Sequence, residues 1–218
     1  MAKSPSLTFK TPLVPLSWAN ISGKGKLKYD PNNELDKEDP SNYIYTISCT
    51  LTKEQAAPIN EQLTKFWREN KPQGATKMKY ELIKEEHVPD LDKNGKEQKD
   101  ADGAIITKHT GNYTLTAKTN TVWADGKPNI VRVMRANGQP LDLQGKVIGE
   151  GSVGVVHGTI GISAFKGNEG LAFYLTAVQL KKFVEYVGGG VVEADNLGDD
   201  EGLDDLDMTE AISDKPEL

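Results

Sequence analysis

Few residues in this sequence belong to the types from which cross-linked folds and most metal centres are built. There is one cysteine, Cys49, among 218 residues, so an internal disulfide framework is excluded. Cys49 alternates with apolar residues, which predicts a buried structural thiol rather than a nucleophile. The three histidines, His87, His109 and His157, lie on separate segments without the spacing of metal ligands, and we expect no metal site.

Long apolar runs are missing as well. No stretch approaches the roughly 20 residues that a membrane-spanning helix needs. The first residues, Met-Ala-Lys-Ser-Pro, lack the apolar core of a secretion signal. The sequence therefore predicts a cytoplasmic protein of a reducing compartment, with no membrane partner.

Complete catalytic motifs are also absent. Residues 90–95 match the first half of a calcium loop, but the twelfth position is Ala101 instead of a bidentate glutamate. Residues 149–156 carry glycines like those of a kinase phosphate loop, yet no other part of the kinase signature is present. We therefore expect a protein that is not an enzyme and that uses no cofactor.

Positive and negative charge are separated along the chain. Residues 188–218 carry 11 acids, one base and no aromatic residue, a net charge of −10, whereas the other 187 residues carry 25 bases and 21 acids. So acidic a segment, with few large apolar side chains, buries too little surface to offset its ordering entropy. We expect a folded domain over residues 1–187 and a disordered acidic tail over residues 188–218. The composition leaves open whether this tail binds a partner or only improves solubility.

The rest of the chain favours short strands around one helix. Twenty-one glycines, 11 prolines and many short alternating segments predict an all-β fold. Thr52 and Gln55 form a capping box that predicts a helix ending near Asn70, with Trp67 on its apolar face. Strands and hairpins are expected at residues 43–51, 77–86, 113–123 with 129–135, and 159–165 with 171–184, the last with a bulge near Ala177. Residues 87–111 are expected to form an exposed hairpin or arm.

This order of elements resembles that of the single-stranded-DNA-binding proteins of tailed bacteriophages. The likeness spans nearly the whole chain and is most specific over residues 151–200, where two strands lead through Gly188-Gly189-Gly190 into acidic residues. It implies an OB-fold, a five-stranded barrel with a helix and extended hairpins, in a protein of phage DNA replication, recombination and repair. One departure is the segment Pro216-Glu217-Leu218, where some relatives carry an aromatic residue.

The resemblance and the residue pattern together predict a nucleic-acid site. A groove that binds any single strand needs cations for the phosphates and aromatic rings for the bases. The candidate stacking residues are Trp18, Tyr29, Tyr113, Trp123 and Phe165. The candidate phosphate contacts are Lys24, Lys26, Lys28, Lys77, Lys79, Lys118, Arg132, Arg135 and Lys166. Lys24, Lys26 and Lys28 alternate and so project to one side of an extended chain, although a solvated strand face explains them equally well.

The acidic tail is expected to compete with DNA for this groove and, when displaced, to recruit a replicative polymerase, a helicase or recombination proteins in the host bacterium. The acids assigned to this role are Asp199, Asp200, Glu201, Asp204, Asp205 and Asp207. A homodimer is left open. Two other function classes are also open: a virion structural or assembly protein, and an RNA-binding OB-fold protein, which would read the 2′-hydroxyl.

Overall fold

The computed structural model describes residues 4–165, 168–187 and 190–196, and within them the chain forms ten β-strands and one α-helix, α1 (Lys53–Asn70). The strands are β1 (Ser6–Lys10), β2 (Val14–Asn20), β3 (Lys26–Leu27), β4 (Tyr43–Leu51), β5 (Ile83–Pro89), β6 (Thr107–Asn120), β7 (Arg132–Arg135), β8 (Ser152–Phe165), β9 (Asn168–Val187) and β10 (Gly190–Asn196). The predicted mostly β fold with a single helix is confirmed. No helical segment in the described ranges has the length and apolar character needed to cross a membrane.

Five of the strands are hydrogen-bonded in a closed ring. β2 pairs with β4, β4 with β6, β6 with β9, β9 with β8, and β8 again with β2. Four of these seams are antiparallel, whereas the β6–β9 seam is parallel and consists of the single pair Lys118 and Tyr174. The ring is therefore closed but is not an evenly arranged barrel.

The core fills the interior of this ring. On β4, Ile47, Cys49 and Leu51 are fully buried, which confirms the predicted structural thiol. Burial raises the pKa of the Cys49 thiol to about 12, because a thiolate would be desolvated there. Phe173 from β9 meets Phe9 from β1 edge to face, with ring centroids 5.2 Å apart, so the long strand and the first strand pack together inside.

Helix α1 begins where the sequence predicts it. The Gln55 N–H donates to Thr52 Oγ1 (3.3 Å), and the Thr52 N–H donates to Gln55 Oε1 (3.0 Å). Each side-chain oxygen therefore satisfies the backbone N–H of the other residue. Ile59, Leu63 and Trp67 are buried, and the helix contacts β4, β6 and β9. The helix therefore packs across the end of the ring at which β4 ends.

One predicted strand pairing is wrong. The chain returns along residues 121–123 only as far as Asn129, whose N–H donates to the Thr121 carbonyl. β7 then pairs in parallel with β9, because β4 and β5 already pair with β6. The strand predicted at residues 77–86 is confirmed only over 83–86: β5 begins at Ile83, and Tyr80 makes only an isolated bridge to Gly170. The β8–β9 hairpin is confirmed, and its predicted bulge appears where His157 and Gly158 face Ala177 and Leu175.

The predicted exposed arm is also confirmed. β5 and the first half of β6 form a hairpin whose outer residues, 91–111, are all exposed. Two tight turns shape its tip, each held by one carboxylate: Asp92 accepts from the Asn94 and Lys96 N–H groups, and Asp100 accepts from those of Asp102 and Ala104.

The chain continues in strand form beyond the point at which the tail was expected to begin. β10 pairs antiparallel with β9, from Gly190 opposite Val187 to Asn196 opposite Lys182. Residues 190–196 thus pair as a strand, although they belong to the segment expected to be a disordered tail. The division at residue 187 otherwise stays a prediction, and residues 197–218, with all six tail acids named above, lie outside the described residues.

We expect Thr52→Ala to destabilise the fold by about 0.5–2 kcal/mol, because it removes the hydroxyl that accepts from the Gln55 N–H. Urea unfolding followed by circular dichroism measures this loss. Thr52→Ser is the matched control, since serine keeps the hydroxyl and should unfold near the parent midpoint. Equal midpoints for the alanine and serine variants would contradict the capping role.

Candidate nucleic-acid interface

The side chains that point outward from β4 and β6 form a polar face. Strand register places Thr46 beside Lys118, Ser48 beside Thr116, and Thr50 beside Thr114. The hydroxyls of Ser48 and Thr116 share a hydrogen bond of 2.9 Å. These residues alternate with the core residues of the same strands, although Thr46 is itself buried, so the face follows from strand geometry.

Three lysines surround this hydroxyl-rich face. Lys84 lies opposite Thr114 on β5, Lys118 lies opposite Thr46, and Lys26 lies opposite Ile44 on β3. All three are exposed. Lys84 is level with Thr50 of β4, and Lys26 is level with Ile44. These two positions are six residues apart, or about 20 Å along the strand. The face is therefore long enough for several consecutive phosphates.

A groove of about 310 Å³ borders this face on the β6 side, between β6 and β9, and we call it the outer groove. Its lining residues include Tyr80, Glu81, Lys84, Thr116, Lys118 and Tyr174, and Thr114 also lines it. Tyr80 is 51% exposed and Tyr174 is 46% exposed, so each ring offers a free face to a ligand. Glu81 is the acid among the lining residues.

Two glycines let the tyrosines approach the strands. A Cβ on Gly161 of β8 would lie 3.1 Å from Cε2 of Tyr174, so the bare backbone allows that ring to lie across the strand. A Cβ on Gly170 would lie 2.8 Å from the Cβ of Tyr80 and 2.9 Å from its carbonyl oxygen. Gly170 therefore permits the Tyr80 segment to pair with β9 and to form one wall of the outer groove.

Among the predicted site residues that the structure describes, Lys118 lines the outer groove. Sequence reasoning missed Tyr80, Tyr174 and Lys84. The signal for Tyr174 was present, because it alternates with the buried Phe173 and Leu175 and must therefore point outward. Tyr80 lies outside any strand, and only the bridge to Gly170 brings it to the site.

Five predicted residues lie together at the other end of the face, around the loop between β2 and β4. Trp18 occupies a bulge of β2, between the pairs Ser17–Ser48 and Asn20–Thr46, with a positive φ of 51° and 79% exposure. A positive φ is unusual for so bulky a residue, and it turns the indole away from the core. Tyr29 is 91% exposed, and Lys26 is the lysine already placed on the face.

The other two lysines of this loop are held by local contacts. Lys24 Nζ lies 3.4 Å from Glu38 Oε1 and 5.2 Å from the centre of the Tyr43 ring, and Lys28 Nζ donates to the Ser41 carbonyl at 2.7 Å. The loop itself is shaped by Asp39, whose pKa is lowered because its carboxylate accepts from the Ser41 hydroxyl and N–H. Lys24 and Lys28 are thus both engaged by contacts with an ordered loop.

The remaining predicted residues are spread over the surface. Lys77 and Lys79 are exposed beside the start of β9, where the Lys79 N–H donates to the Glu169 carbonyl. Tyr113 lies on the core-facing side of β6, opposite Leu51, and touches His109 with its ring. Phe165 ends β8 next to the hairpin turn. Lys166 lies outside the described residues.

Trp123, Arg132 and Arg135 lie away from the outer groove. Trp123 is 57% exposed at a tight turn, and both arginines are exposed on β7, which pairs with β9 beyond Tyr174. The predicted hairpin of residues 113–123 with 129–135 would have placed the two arginines beside Lys118. That placement is wrong, because β7 pairs with β9 and not with β6. Whether they contact nucleic acid stays a prediction.

A second groove, of about 570 Å³, lies at the end of the ring opposite α1, and we call it the end groove. Its walls are largely apolar, with Ile21, Tyr45, Ile130, Val133, Leu141 and Leu143 among the lining residues. Ile130 is 77% exposed, an unusual position for an isoleucine. Arg132 and Lys146 line the same groove, together with Asp142.

The histidines form no metal site in the part of the chain that is described. The structure does bring two of them together, since His87 and His109 face each other across β5 and β6 with ring centroids 5.5 Å apart. No group of three or more metal-binding side chains occurs within the described ranges. Burial lowers the pKa of His157 on β8 below its ordinary value, although its hydrogen bond to Gln179 opposes that shift.

Comparison with solved structures found proteins similar to this chain in fold. No protein-family model and no curated protein matches the chain in sequence. Gp2.5, a single-stranded-DNA-binding protein encoded by bacteriophage T7, is similar in structure, with a TM-score of 0.52 and 15% identity over 85% of this chain and 91% of that one. The single-stranded-DNA-binding protein of bacteriophage Enc34, in complex with single-stranded DNA, aligns at 15% identity over 78% of this chain and 84% of its own, with a TM-score of 0.48. The likeness to the T7 protein confirms, at the level of fold, the relationship expected from the sequence.

We expect Gly170→Ala to displace the Tyr80 segment from β9, because backbone atoms and a Cβ block the new methyl group. Hydrogen exchange detects this change at the amides of Lys79 and Leu171, which donate to the Glu169 and Tyr80 carbonyls and should exchange faster. Gly161→Ala is the milder comparison, since a tyrosine ring can shift by a few tenths of an ångström. Unchanged exchange in Gly170→Ala would show that Gly170 does not hold the groove wall in place.

Proposed function

We propose that this protein binds single-stranded DNA without sequence preference, through the outer groove and the loop at the far end of the same face. One observation carries the proposal: Lys26, Lys84 and Lys118 border a hydroxyl-rich face, and the exposed rings of Tyr80 and Tyr174 lie beside it in the outer groove. Single-strand-binding grooves need this combination of cations and aromatic rings.

We further propose that the closed ring is an OB-fold barrel. The pairing order β2-β4-β6-β9-β8, with one parallel seam between β6 and β9, supports this assignment. OB-folds bind oligonucleotides on the face of their second and third barrel strands, between two flanking loops. Those strands would be β4 and β6 here, and the flanking segments would be the loop carrying Lys24 and Lys28 and the β8–β9 turn.

The bound strand would lie along the face with its phosphates near the lysines and its bases on the tyrosines. Every base has a π-face, so stacking on Tyr80 and Tyr174 does not select a sequence and contributes about 1–3 kcal/mol per base. The hydroxyls of Thr114 and Thr116 donate or accept, and so accommodate different base edges. The path of the bound strand would continue beyond Tyr80 to Lys77, Lys79, Phe165 and Lys166. At its other end it would continue beyond Lys26 to Trp18 and Tyr29.

The acidic tail would act as a tethered competitor for this face. Six carboxylates between residues 199 and 207 present the same charge as a short run of phosphates. When DNA occupies the face, the displaced tail would be available to replication partners, namely a polymerase, a helicase or recombination proteins. On this proposal the protein is a non-enzymatic component of phage DNA replication in the cytoplasm of the host cell.

Tryptophan fluorescence during oligonucleotide titration tests the proposal. We expect a single-stranded oligonucleotide to quench the exposed Trp18, while the matching duplex and an RNA of equal sequence bind more weakly. Tyr174→Ala should weaken single-strand binding by about 1–3 kcal/mol. Lys118→Ala should make the slope of log affinity against log salt shallower by about 0.7.

Two matched variants control this experiment. Tyr186→Ala removes a tyrosine that is 59% exposed on the same strand but does not line the groove, and Lys65→Ala removes an exposed lysine of α1. Both should bind like the parent. If Tyr174→Ala and Lys118→Ala also bind like the parent, the outer groove is not the site. Preference for RNA would identify an RNA-binding protein, and binding of no nucleic acid would favour an assembly role.

Removal of residues 197–218 should tighten DNA binding most at low salt and so make its salt dependence steeper, because the competing carboxylates, which added salt would otherwise screen, are lost. The cut is placed after Asn196 so that β10 stays paired with β9. Fluorescence anisotropy of a labelled oligonucleotide at two salt concentrations measures the effect. Equal affinities with and without the segment would reduce it to a solubilising tail.

A further inference from the structure

The end groove is an apolar site without an occupant in the described fold. Its volume of about 570 Å³ lies within the range of ligand-binding clefts, about 300–1,000 Å³. Val133, Leu141 and Leu143 form its walls, and Ile130 stands exposed at its rim. Exposed apolar surface of this kind commonly marks an interaction site.

The path of β10 brings the chain to the rim of this groove. β10 runs back along β9 and ends at Asn196, opposite Lys182. Two residues further along β9, Leu180 faces Arg135 at the end of β7. Two residues of strand span about 7 Å. Arg135 leads into the turn at Gly138, which lines the end groove, so the described chain ends at Asn196 on the side of β9 that leads to that groove.

The residues that follow have the chemistry to fill it. Residues 197–208 read Leu-Gly-Asp-Asp-Glu-Gly-Leu-Asp-Asp-Leu-Asp-Met, so aliphatic side chains alternate with six carboxylates and no base. Leu203, Leu206 and Met208 match the apolar walls. The carboxylates match Arg132 and Lys146 at the groove, although Asp142 opposes them and Glu185 already pairs with Lys146 at 3.0 Å. Twelve residues reach up to about 40 Å when extended, which is ample for this distance.

We propose that residues 197–208 dock in the end groove of their own chain, with Leu203 and Leu206 inserted between its apolar walls. The acids between these leucines then stand at the loop end of the DNA-binding face, because Ser22 and Gly23 line the end groove immediately before Lys24. The effect on DNA rests on the function proposed above, whereas the docking itself does not.

This docking explains how the tail competes without lying along the whole DNA face. The apolar anchor keeps the carboxylates close to Lys24, Lys26 and Lys28, which raises their effective concentration there. DNA that reaches this end of the face must displace them. Loss of the anchor should therefore act like loss of the tail, even when every carboxylate is retained.

Photo-crosslinking in the full-length chain tests the docking without reference to DNA. Leu203 is replaced by p-benzoylphenylalanine, the protein is irradiated, and the adduct is located by mass spectrometry. We expect a crosslink within a single chain, to residues 130–134 or 136–146 of the end groove. A crosslink to residues 109–118 of the outer groove, a crosslink between two chains, or no crosslink overturns the proposal.

Binding of a labelled oligonucleotide at low salt tests the consequence. Leu203→Ser with Leu206→Ser keeps every charge, and Ile130→Ser changes an exposed position, so both proteins should fold. Each should bind at least about fivefold more tightly than the parent, the lower end of typical coupling between sites. Val88→Ser, on the exposed arm, is the control and should leave binding unchanged.

The same Ile130→Ser change is also made in a chain cut after Asn196, which completes a double-mutant cycle between Ile130 and residues 197–218. It should have no effect there, because the segment that it disturbs is gone. An effect of equal size in the cut chain would show that Ile130 acts on DNA directly and would overturn the proposal. If no variant binds DNA at all, the proposed function fails, while the crosslink still decides the docking.

Discussion

The structure depends on the pairing of one long strand, β9, with several partners in turn. β9 is antiparallel to β8 along most of its length, meets β6 at Tyr174, takes up β7 from Ala177 to Leu180, and ends against β10. An edge of a β-strand left unpaired in the interior would leave buried N–H and C=O groups without partners. The succession of partners along β9 therefore closes the ring. It also fixes the positions of β7, which carries Arg132 and Arg135, and of β10, which leads into residues 197–218.

The candidate interface is a by-product of that closure. Lys118 and Tyr174 are the one strand-paired couple of β6 and β9, and their pairing places a cation and an aromatic ring side by side on the outward face. A bulge opposite His157 and Gly158 then changes which β9 residues point inward, so that both Ala177 and Val178 are buried. Without this bulge the alternation that exposes Tyr174 would continue past Ala177 and give β7 a different surface on which to pack.

The cationic face and the exposed aliphatic surface lie at different places on the fold. Lys26, Lys84 and Lys118 border the hydroxyl-rich face, whereas exposed aliphatic side chains occur at the end groove, beside Arg132 and Lys146, and on the arm. Contacts of the first kind weaken with salt, and contacts of the second kind do not. A ligand that carries both carboxylates and leucines can therefore engage two neighbouring surfaces by different forces, and salt separates their contributions.

The sequence by itself determined the features that depend on neighbours along the chain. The capping box of Thr52 and Gln55, the burial of Cys49 and Trp67, the exposed arm and the β9 bulge all follow from local patterns, since side-chain alternation and capping act over a few residues. The resemblance also gave the fold relationship. Only the tertiary structure decided which segments meet: that β7 joins β9 and not β6, that Gly170 brings Tyr80 to the groove, and that Tyr174 stands beside Lys118. Such pairings depend on which strand edges remain free once the ring closes, and no local pattern in the sequence encodes that.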